Sequence, residues 1–328
     1  MIKRIFTYIT AGTNPHRNLA MERYLTERVP EDACILYLWQ NENTVVIGRN
    51  QNAWRECRTG LLEEEGGTLA RRLSGGGAVF HDLGNLNFTF SATQENYDLA
   101  RQRQVLLEAC LLLGIDAQLS GRNDLLAAGR KFSGNSFYAH KGRAFHNGTL
   151  LVAADMEKMG RYLSPSQAKM ESKGVDSVRS RVVNLRELCP GLTIDAMADA
   201  MARAFEKIYG LTAQPLTEAD LDVRAVEALT QEFASPDWVY GRSAPMDFTC
   251  GEKFPWGELT LHLRVEEGSC REVRVYTDAM EADLAAILEA SLTGCGFSAQ
   301  DLCRAIASAA APREVKDDLC ALLRRQNI

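Results

Sequence analysis

Apolar positions fall into two rhythms along the chain, and their order predicts most of the elements. Met1 to Ile9 is a short apolar run that reads as a first strand. Asn14-Pro15 offers a cap and a first-turn proline, and Leu19, Leu25 and Val29 follow near helical spacing, predicting a helix to Val29. Cys34 to Trp39 and Thr44 to Gly48 are apolar strands separated by the polar Gln40-Asn41-Glu42-Asn43, a pattern that predicts a hairpin. A short helix is expected over Asn52 to Arg58 and a strand over Thr68 to Arg72. Asn85 to Phe90 alternates apolar and polar residues, as a half-buried strand does. Asp98 to Leu113 reads as a helix closed by Gly114. Between Ala117 and Val152, glycines at 121, 129, 134, 142 and 148 punctuate several short strands. Helices are expected over Asp155 to Leu163, Thr193 to Tyr209 and Glu218 to Phe233.

The pattern changes after Ser235-Pro236-Asp237. Strands Gly257 to Glu266 and Arg271 to Thr277 meet at Glu267-Gly268-Ser269 as a hairpin, and helices fill Glu281 to Leu292, Ala299 to Ala307 and Glu314 to Arg325. The expected fold class is therefore α+β. A larger domain of mixed sheet with flanking helices occupies residues 1–235, and a small α+β domain occupies 240–328. Ser164 to Ser180 shows neither rhythm and carries Lys169, Lys173 and Arg179. An irregular basic stretch of that length inside a domain is more often a functional lid than filler.

Composition narrows the class. At 328 residues, 46% hydrophobic and 24% charged, the chain is an ordinary globular protein with room for roughly two domains. No apolar run approaches the roughly 18 to 20 residues of a membrane span, and the opening run is too short for a signal peptide. A net charge of −6 argues against nucleic acid as a partner. The nine cysteines form no Cys-x-x-Cys pair, which fits reduced thiols in a cytoplasm and offers neither a zinc site nor a disulfide framework. A soluble, cytoplasmic monomer is expected, with any metal arriving on a nucleotide.

Two clusters carry candidate chemistry. The first is Arg71-Arg72-Leu73-Ser74-Gly75-Gly76-Gly77-Ala78-Val79-Phe80-His81-Asp82. Three successive glycines persist where a backbone turns tightly or lies against a ligand. Their N–H groups and the preceding guanidiniums suit a phosphate or carboxylate. The blander alternative is a glycine-rich turn with two solvated arginines. The spacing matches neither the P-loop nor the dinucleotide fingerprint. The second cluster comprises Gly121-Arg122-Asn123-Asp124, then Gly129-Arg130-Lys131-Phe132-Ser133-Gly134-Asn135, then His146-Asn147-Gly148-Thr149-Leu150-Leu151. Lys131, held between glycines, could serve as a point charge beside a carboxylate and an α-phosphate; alternatively it is a solvated strand lysine. His146 is either a pocket residue or a strand histidine satisfied by a neighbour.

Together with Lys173-Gly174-x-x-Ser177-Val178-x-Ser180-Arg181-Val182-x-Asn184-Leu185, these motifs resemble the lipoate–protein ligase family, across almost the whole chain. The resemblance implies a biotin/lipoate ligase-like catalytic domain followed by the accessory domain of the family's long form. It implies that lipoate's carboxylate attacks the α-phosphorus of ATP, giving lipoyl-AMP and pyrophosphate, and that an acceptor lysine then takes the lipoyl group. Lys131 would be catalytic. Arg72, Gly77, Ala78, Val79, Phe80, Asn123, Asp124, Lys131 and Lys173 would bind ATP, with Asp124 also the candidate Mg²⁺ ligand. Arg71, Ser74, Gly76, His81, Lys131, Ser133, Gly134, His146 and Gly148 would bind lipoate. Ser164 to Arg181 would cover the adenylate. The implied partners are apo lipoyl domains of 2-oxoacid dehydrogenase E2 subunits and the glycine-cleavage H protein.

Two rivals remain on the sequence. An acyl-carrier-dependent octanoyl or lipoyl transferase of the same fold can use a cysteine nucleophile after the central lysine, but no cysteine lies between Cys110 and Cys189. A non-catalytic lipoate-binding protein would have had no use for an intact Lys131, Arg72 and glycine run. Lipoate and octanoate differ at the far end of the chain, and the sequence does not rank them.

Overall fold

The structure, a computed structural model, describes residues 1–121, 123–163, 182–240, 248–266 and 268–326. It opens with β1 (Arg4–Ile9), α1 (Pro15–Arg28), β2 (Ala33–Trp39), β3 (Thr44–Ile47), α2 (Ala53–Glu56), α3 (Thr59–Glu64), β4 (Thr68–Arg71), β5 (Val79–His81) and β6 (Asn85–Thr93). Next come α4 (Leu99–Leu112), β7 (Ala117–Ser120), β8 (Asp124–Ala127), β9 (Arg130–His140), β10 (Arg143–Leu151) and α5 (Met156–Tyr162). α6 (Leu185–Leu188), α7 (Ile194–Tyr209), β11 (Ala213–Pro215), α8 (Val223–Ala234) and α9 (Pro236–Val239) follow. The last part holds β12 (Phe248–Phe254), β13 (Gly257–Glu266), β14 (Ser269–Thr277), α10 (Leu284–Leu292), α11 (Ala299–Ser308) and α12 (Arg313–Arg324).

An eight-stranded mixed sheet in the order β11-β1-β2-β6-β10-β9-β8-β7 is the frame. β2 and β6 are buried along their whole length, so each needs a covered face on both sides. On one face α4 and α7 pack Val105, Leu106, Met201 and Phe205 against Leu36, Leu38, Phe88 and Phe90. On the other, α1 and α8 pack Leu19, Leu25, Val226 and Phe233 against Tyr37, Trp39 and Phe145. Asn14 caps α1, its side chain accepting from the N–H groups of His16 and Arg17 as the sequence predicts.

The hairpin expected of Cys34 to Trp39 and Thr44 to Gly48 does not form. β2 needs neighbours on both edges and finds β1 in parallel and β6 antiparallel. β3 instead leaves the large sheet and becomes the middle strand of a small one, β4-β3-β5. The strands of Ala117 to Val152 are fewer and longer than their glycines suggest, β9 having 11 residues and β10 having 9. Gly134 and Gly148 lie inside these strands. The single helix expected over Glu218 to Phe233 is split, because Thr217 and Asp220 close a short 3-10 turn and Asp222 caps a new helix through Ala225 N–H. α3, α6 and β12 had no clear signal in the sequence.

Residues 248–266 and 268–326 build their own three-stranded antiparallel sheet, β12-β13-β14, covered by α10, α11 and α12 around Leu259, Leu261, Leu263, Leu288 and Leu319. The segment after β14 touches the rest of the molecule at one telling place. Ala279 O accepts the Gly76 N–H at 3.1 Å, and Asn50 Nδ2 donates to Ala282 O at 2.9 Å.

Candidate functional site

Strand alternation gives the central sheet one polar face beneath α1. Asn87 and Thr89 on β6, Asn147 and Thr149 on β10, and Gly134 and Ser136 on β9 lie side by side in register. Above them β4 delivers Arg72 into the glycine loop and β5 carries Val79 and His81 back. Between sheet and loop lies a cavity of about 170 Å³, whose lining includes Trp39, Leu19, Val46, Lys131, Asn123 and Met280 as well as Gly76 to Val79.

Lys131 stands at one side of this cavity, its Nζ 2.8 Å from Asp124 Oδ1, with both side chains about one-third exposed. The β8–β9 register shifts at Leu125/Leu126, which brings Lys131 beside Gly134. A Cβ at residue 134 would stand 3.2 Å from Lys131 Nζ, so glycine leaves the ammonium its place. The Lys131 carbonyl accepts the Val183 N–H at 2.9 Å, which anchors the strand behind it.

The glycine loop is held mainly by Arg72. Its guanidinium donates to Gly75 O at 2.7 Å, Gly77 O at 2.8 Å and Val46 O at 3.3 Å. Burial pushes its pKa down to about 10, against the pull of Glu22. Gly76 takes a φ of 90°, a left-handed conformation that favours glycine. A Cβ on Gly77 would meet nothing within 4 Å, so this stretch of backbone faces open space.

Behind the polar face runs a buried hydrogen-bond chain. Ser74 Oγ donates to Ser136 Oγ (2.8 Å), Ser136 Oγ to Asn147 Oδ1 (2.5 Å), and Asn147 Nδ2 to Glu22 Oε1 (2.8 Å). Thr89 Oγ1 also donates to Glu22 Oε1, at 2.7 Å. Burial drives the Glu22 carboxyl up to about 7, partly offset by those donors and by Arg72. Burial, reinforced by Arg72, holds His81 down at about 3, so its ring is neutral. Among the described residues no three His, Cys, Asp or Glu side chains form a group that could hold a metal ion.

Residues 14–206 match the family model described as the lipoyl protein ligase A/B catalytic domain, and residues 243–323 match the bacterial lipoate protein ligase C-terminus. The chain belongs to the lipoate–protein ligase family. It is 41% identical over 301 residues to the lipoate-protein ligase A of Psychrobacter cryohalolentis, covering 89% of each chain. It is 37% identical over 303 residues to that of Bdellovibrio bacteriovorus, covering 90% of this chain and 89% of the other. Among solved structures, P. falciparum LipL1 in complex with lipoate superposes with a TM-score of 0.85 at 24% identity, covering 98% of this chain and 100% of that one, which fixes the fold. A lipoate-protein ligase A bound with ATP superposes with a TM-score of 0.61 at 25% identity, covering 74% of this chain and 99% of that one.

Within this ligase the structure sorts the residues singled out from the sequence. Arg72, Gly76, Gly77, Ala78, Val79, His81, Asn123, Lys131, Gly134 and Gly148 all line the cavity, and Asp124 meets it through Lys131. Arg71 does not. One position before Arg72 on an extended strand, it points the opposite way and spends its donors on the carbonyls of Gly48, Arg49, Gln51, Trp238 and Val239. It lines a separate cavity instead, of about 400 Å³, with Arg49, Trp238 and Tyr276. His146 falls on the apolar face, fully buried among Phe88, Phe90 and Phe137, its Nε2 2.6 Å from Asn135 Oδ1. One ring nitrogen is thus met by a neighbour, while Nδ1 is buried without a partner among the described residues. Ser133 is turned away by the same alternation and meets Asn135 Nδ2. Ser74 sits one layer behind the wall on Ser136, and Phe80 turns its ring onto Tyr162. Lys173 and the segment Ser164 to Arg181 lie outside the described residues. Trp39, Asn87, Ser136 and Met280 line the cavity without having been marked in the sequence, and Asn147, which the second cluster contains without a role, lines it as well.

Proposed function

We propose that this lipoate–protein ligase runs both half-reactions around Lys131, which sits between the open side of the glycine loop and the polar face of the sheet. A lipoate carboxylate oxygen attacks the α-phosphorus of ATP, the α,β-bridging oxygen leaves with pyrophosphate, and lipoyl-AMP forms. An acceptor lysine amine then attacks the acyl carbon, AMP leaves, and the amine gives up a proton as the amide forms. Neither step needs a protein nucleophile; both need close positioning and a cation beside developing negative charge. The Lys131 ammonium supplies that cation, released from Asp124 toward the carboxylate and α-phosphate.

The backbone of Gly77, Ala78 and Val79 faces the nucleotide, with Asn123 alongside. Arg72 acts by holding the loop in shape, its donors being spent on loop carbonyls. Mg²⁺ binds through ATP phosphates plus one or two carboxylates in sites of this kind; the carboxylate placed for it is Asp124, and the ion would offset phosphate charge there. Leu19, Trp39 and Val46 provide apolar wall for the acyl chain. Lys173, which lies outside the described residues, is assigned to ATP by its motif alone. The acceptors are lipoyl domains, among them those of 2-oxoacid dehydrogenase E2 subunits and the H protein; one structural relative, at 25% identity and a TM-score of 0.63, is an archaeal bipartite ligase described with its E2 lipoyl domain. All nine cysteines are free thiols, in keeping with a reducing cytoplasm.

The test is the mass of an apo lipoyl domain incubated with the protein, lipoate and Mg²⁺. A lipoyl-sized gain that requires ATP is expected. A gain from acyl-loaded carrier protein without ATP would assign the chain to the transferases instead.

A further inference from the structure

Of the side chains lining the cavity, two carry a buried polar atom with no hydrogen-bond partner among the described residues: His81 Nε2 and Asn87 Nδ2. Both atoms are donors. Asn18 Nδ2, turned toward the carbonyls of Gly12 and Gln40, donates to Asn41 Oδ1 at 3.0 Å. That directs the Asn41 amide nitrogen at His81 Nδ1, 3.1 Å away. An amide nitrogen can only donate, so Nδ1 accepts and the proton of the neutral ring sits on Nε2. Asn87 Oδ1 is occupied by Asn85 Nδ2 at 2.9 Å, which leaves Nδ2 for the cavity.

The two donors flank one indole. Asn87 stands opposite Trp39 in the β2–β6 register, and the His81 ring meets Trp39 edge-on at 6.1 Å. Lys131 lies two strands away, because β6, β10 and β9 are successive neighbours. Two strand spacings amount to ~10 Å. Seven bonds of an extended eight-carbon chain advance about 8 Å, at the rise per bond of an extended backbone. An acid held by its carboxyl at Lys131 and laid across the strands thus ends at Trp39, His81 and Asn87.

We propose that His81 Nε2–H and Asn87 Nδ2–H form a donor pair for the dithiolane sulfurs of lipoate, and that this pair, more than the size of the cavity, selects lipoate over sulfur-free acids of the same shape. The inference rests on the ligase reading given above. A methylene difference alone separates two acids weakly. A hydrocarbon terminus that covers two buried donors without pairing them loses more, since an unsatisfied buried donor is costly. Sulfur is a weak acceptor, but it is an acceptor.

The deciding comparison is kcat/KM for lipoate against 5-cyclopentylpentanoate, the carbocycle in which both ring sulfurs are methylenes, with ATP and an apo lipoyl domain. The wild-type protein should favour lipoate by about tenfold or more. Asn87→Leu should bring the ratio to within about twofold, chiefly by loss of lipoate use. Equal use of the two acids by the wild type overturns the proposal, and that arm needs no variant to fold. A ratio unchanged in folded Asn87→Leu overturns it too. If the wild type ligates neither acid in the presence of ATP, the ligase reading itself falls, and the donor pair with it.

Discussion

The same three strands make two surfaces of opposite chemistry. On β6, β10 and β9 one face presents Asn87, Thr89, Asn147, Thr149 and Ser136 to the cavity and the Glu22 chain, while the other presents Phe88, Phe90, Phe137 and His146 to helices α4 and α7. Only the pleat separates them. The polar face lines the cavity and bears Asn87, whose Nδ2 is buried without a partner, whereas the apolar face is packed with its aromatic rings in mutual contact, though it too leaves one ring nitrogen, His146 Nδ1, buried and unpaired among the described residues. A one-residue slip would exchange the two surfaces, so the long registers of β6 and β10 are what keep the site in place.

The largest effect should come from opening the packed face. Phe88→Ala removes a fully buried ring between Phe90 and His146 and should cost about 3–5 kcal/mol in denaturant unfolding. A cost below about 1 kcal/mol would mean that this face is less tightly packed than its contacts imply. Lys131→Ala sets the opposite case on the polar side. Lipoate-dependent ATP–pyrophosphate exchange should fall by at least about 10²-fold, the usual scale for losing a group that stabilises transition-state charge, while the melting curve stays close to wild type. Near wild-type turnover would remove Lys131 from the centre of the reaction.

How far this contrast is legible in the sequence depends on whether the signal is local. The glycine run, Lys131 and the helix cap at Asn14 are local, and they stand where the sequence puts them. Facing is not local. Arg71 and Arg72 read alike as neighbouring guanidiniums, yet the strand sends one to each cavity. His146 sits beside cavity-lining Asn147 and Gly148 in the chain and still belongs to the apolar core. Trp39, Asn87 and Asn147 come together only once strand order is known, and Met280 arrives from the segment that follows β14. Glu22 did leave a signal: three residues after Leu19, it puts a carboxylate on the buried stripe of α1.

That carboxylate gives the comparison a pH axis. Glu22 ordinarily titrates near 4.5, and burial raises it to about 7 in the folded protein. The unfolded chain therefore releases the proton first as pH rises, and folding is progressively disfavoured between about pH 4.5 and about pH 7, by up to about 3 kcal/mol. Glu22→Gln carries no proton to lose. Its stability relative to wild type should grow across that window and level off above it, read from urea unfolding at several pH values. A difference independent of pH would mean that Glu22 keeps its charge when folded, balanced by Arg72 and its donors.

The smallest effect should come from the residue at which the two faces meet. Gly148 belongs by alternation to the apolar side, yet its backbone lines the cavity. A Cβ there would stand 2.7 Å from the Phe88 ring and 2.6 Å from the Gly134 carbonyl, so an added methyl presses on the packed core and on the strand holding Lys131. Of these two neighbours the ring can rotate, while the carbonyl is fixed by the β9–β10 ladder. Gly148→Ala should therefore cost about 1–3 kcal/mol, the usual price of overpacking, and lower the melting temperature by several degrees. Adenylation should weaken along with stability, because a displaced Gly134 moves the place kept for the Lys131 ammonium. Lost stability with undiminished adenylation would show that the ring takes up the whole strain and that the two faces are mechanically separate.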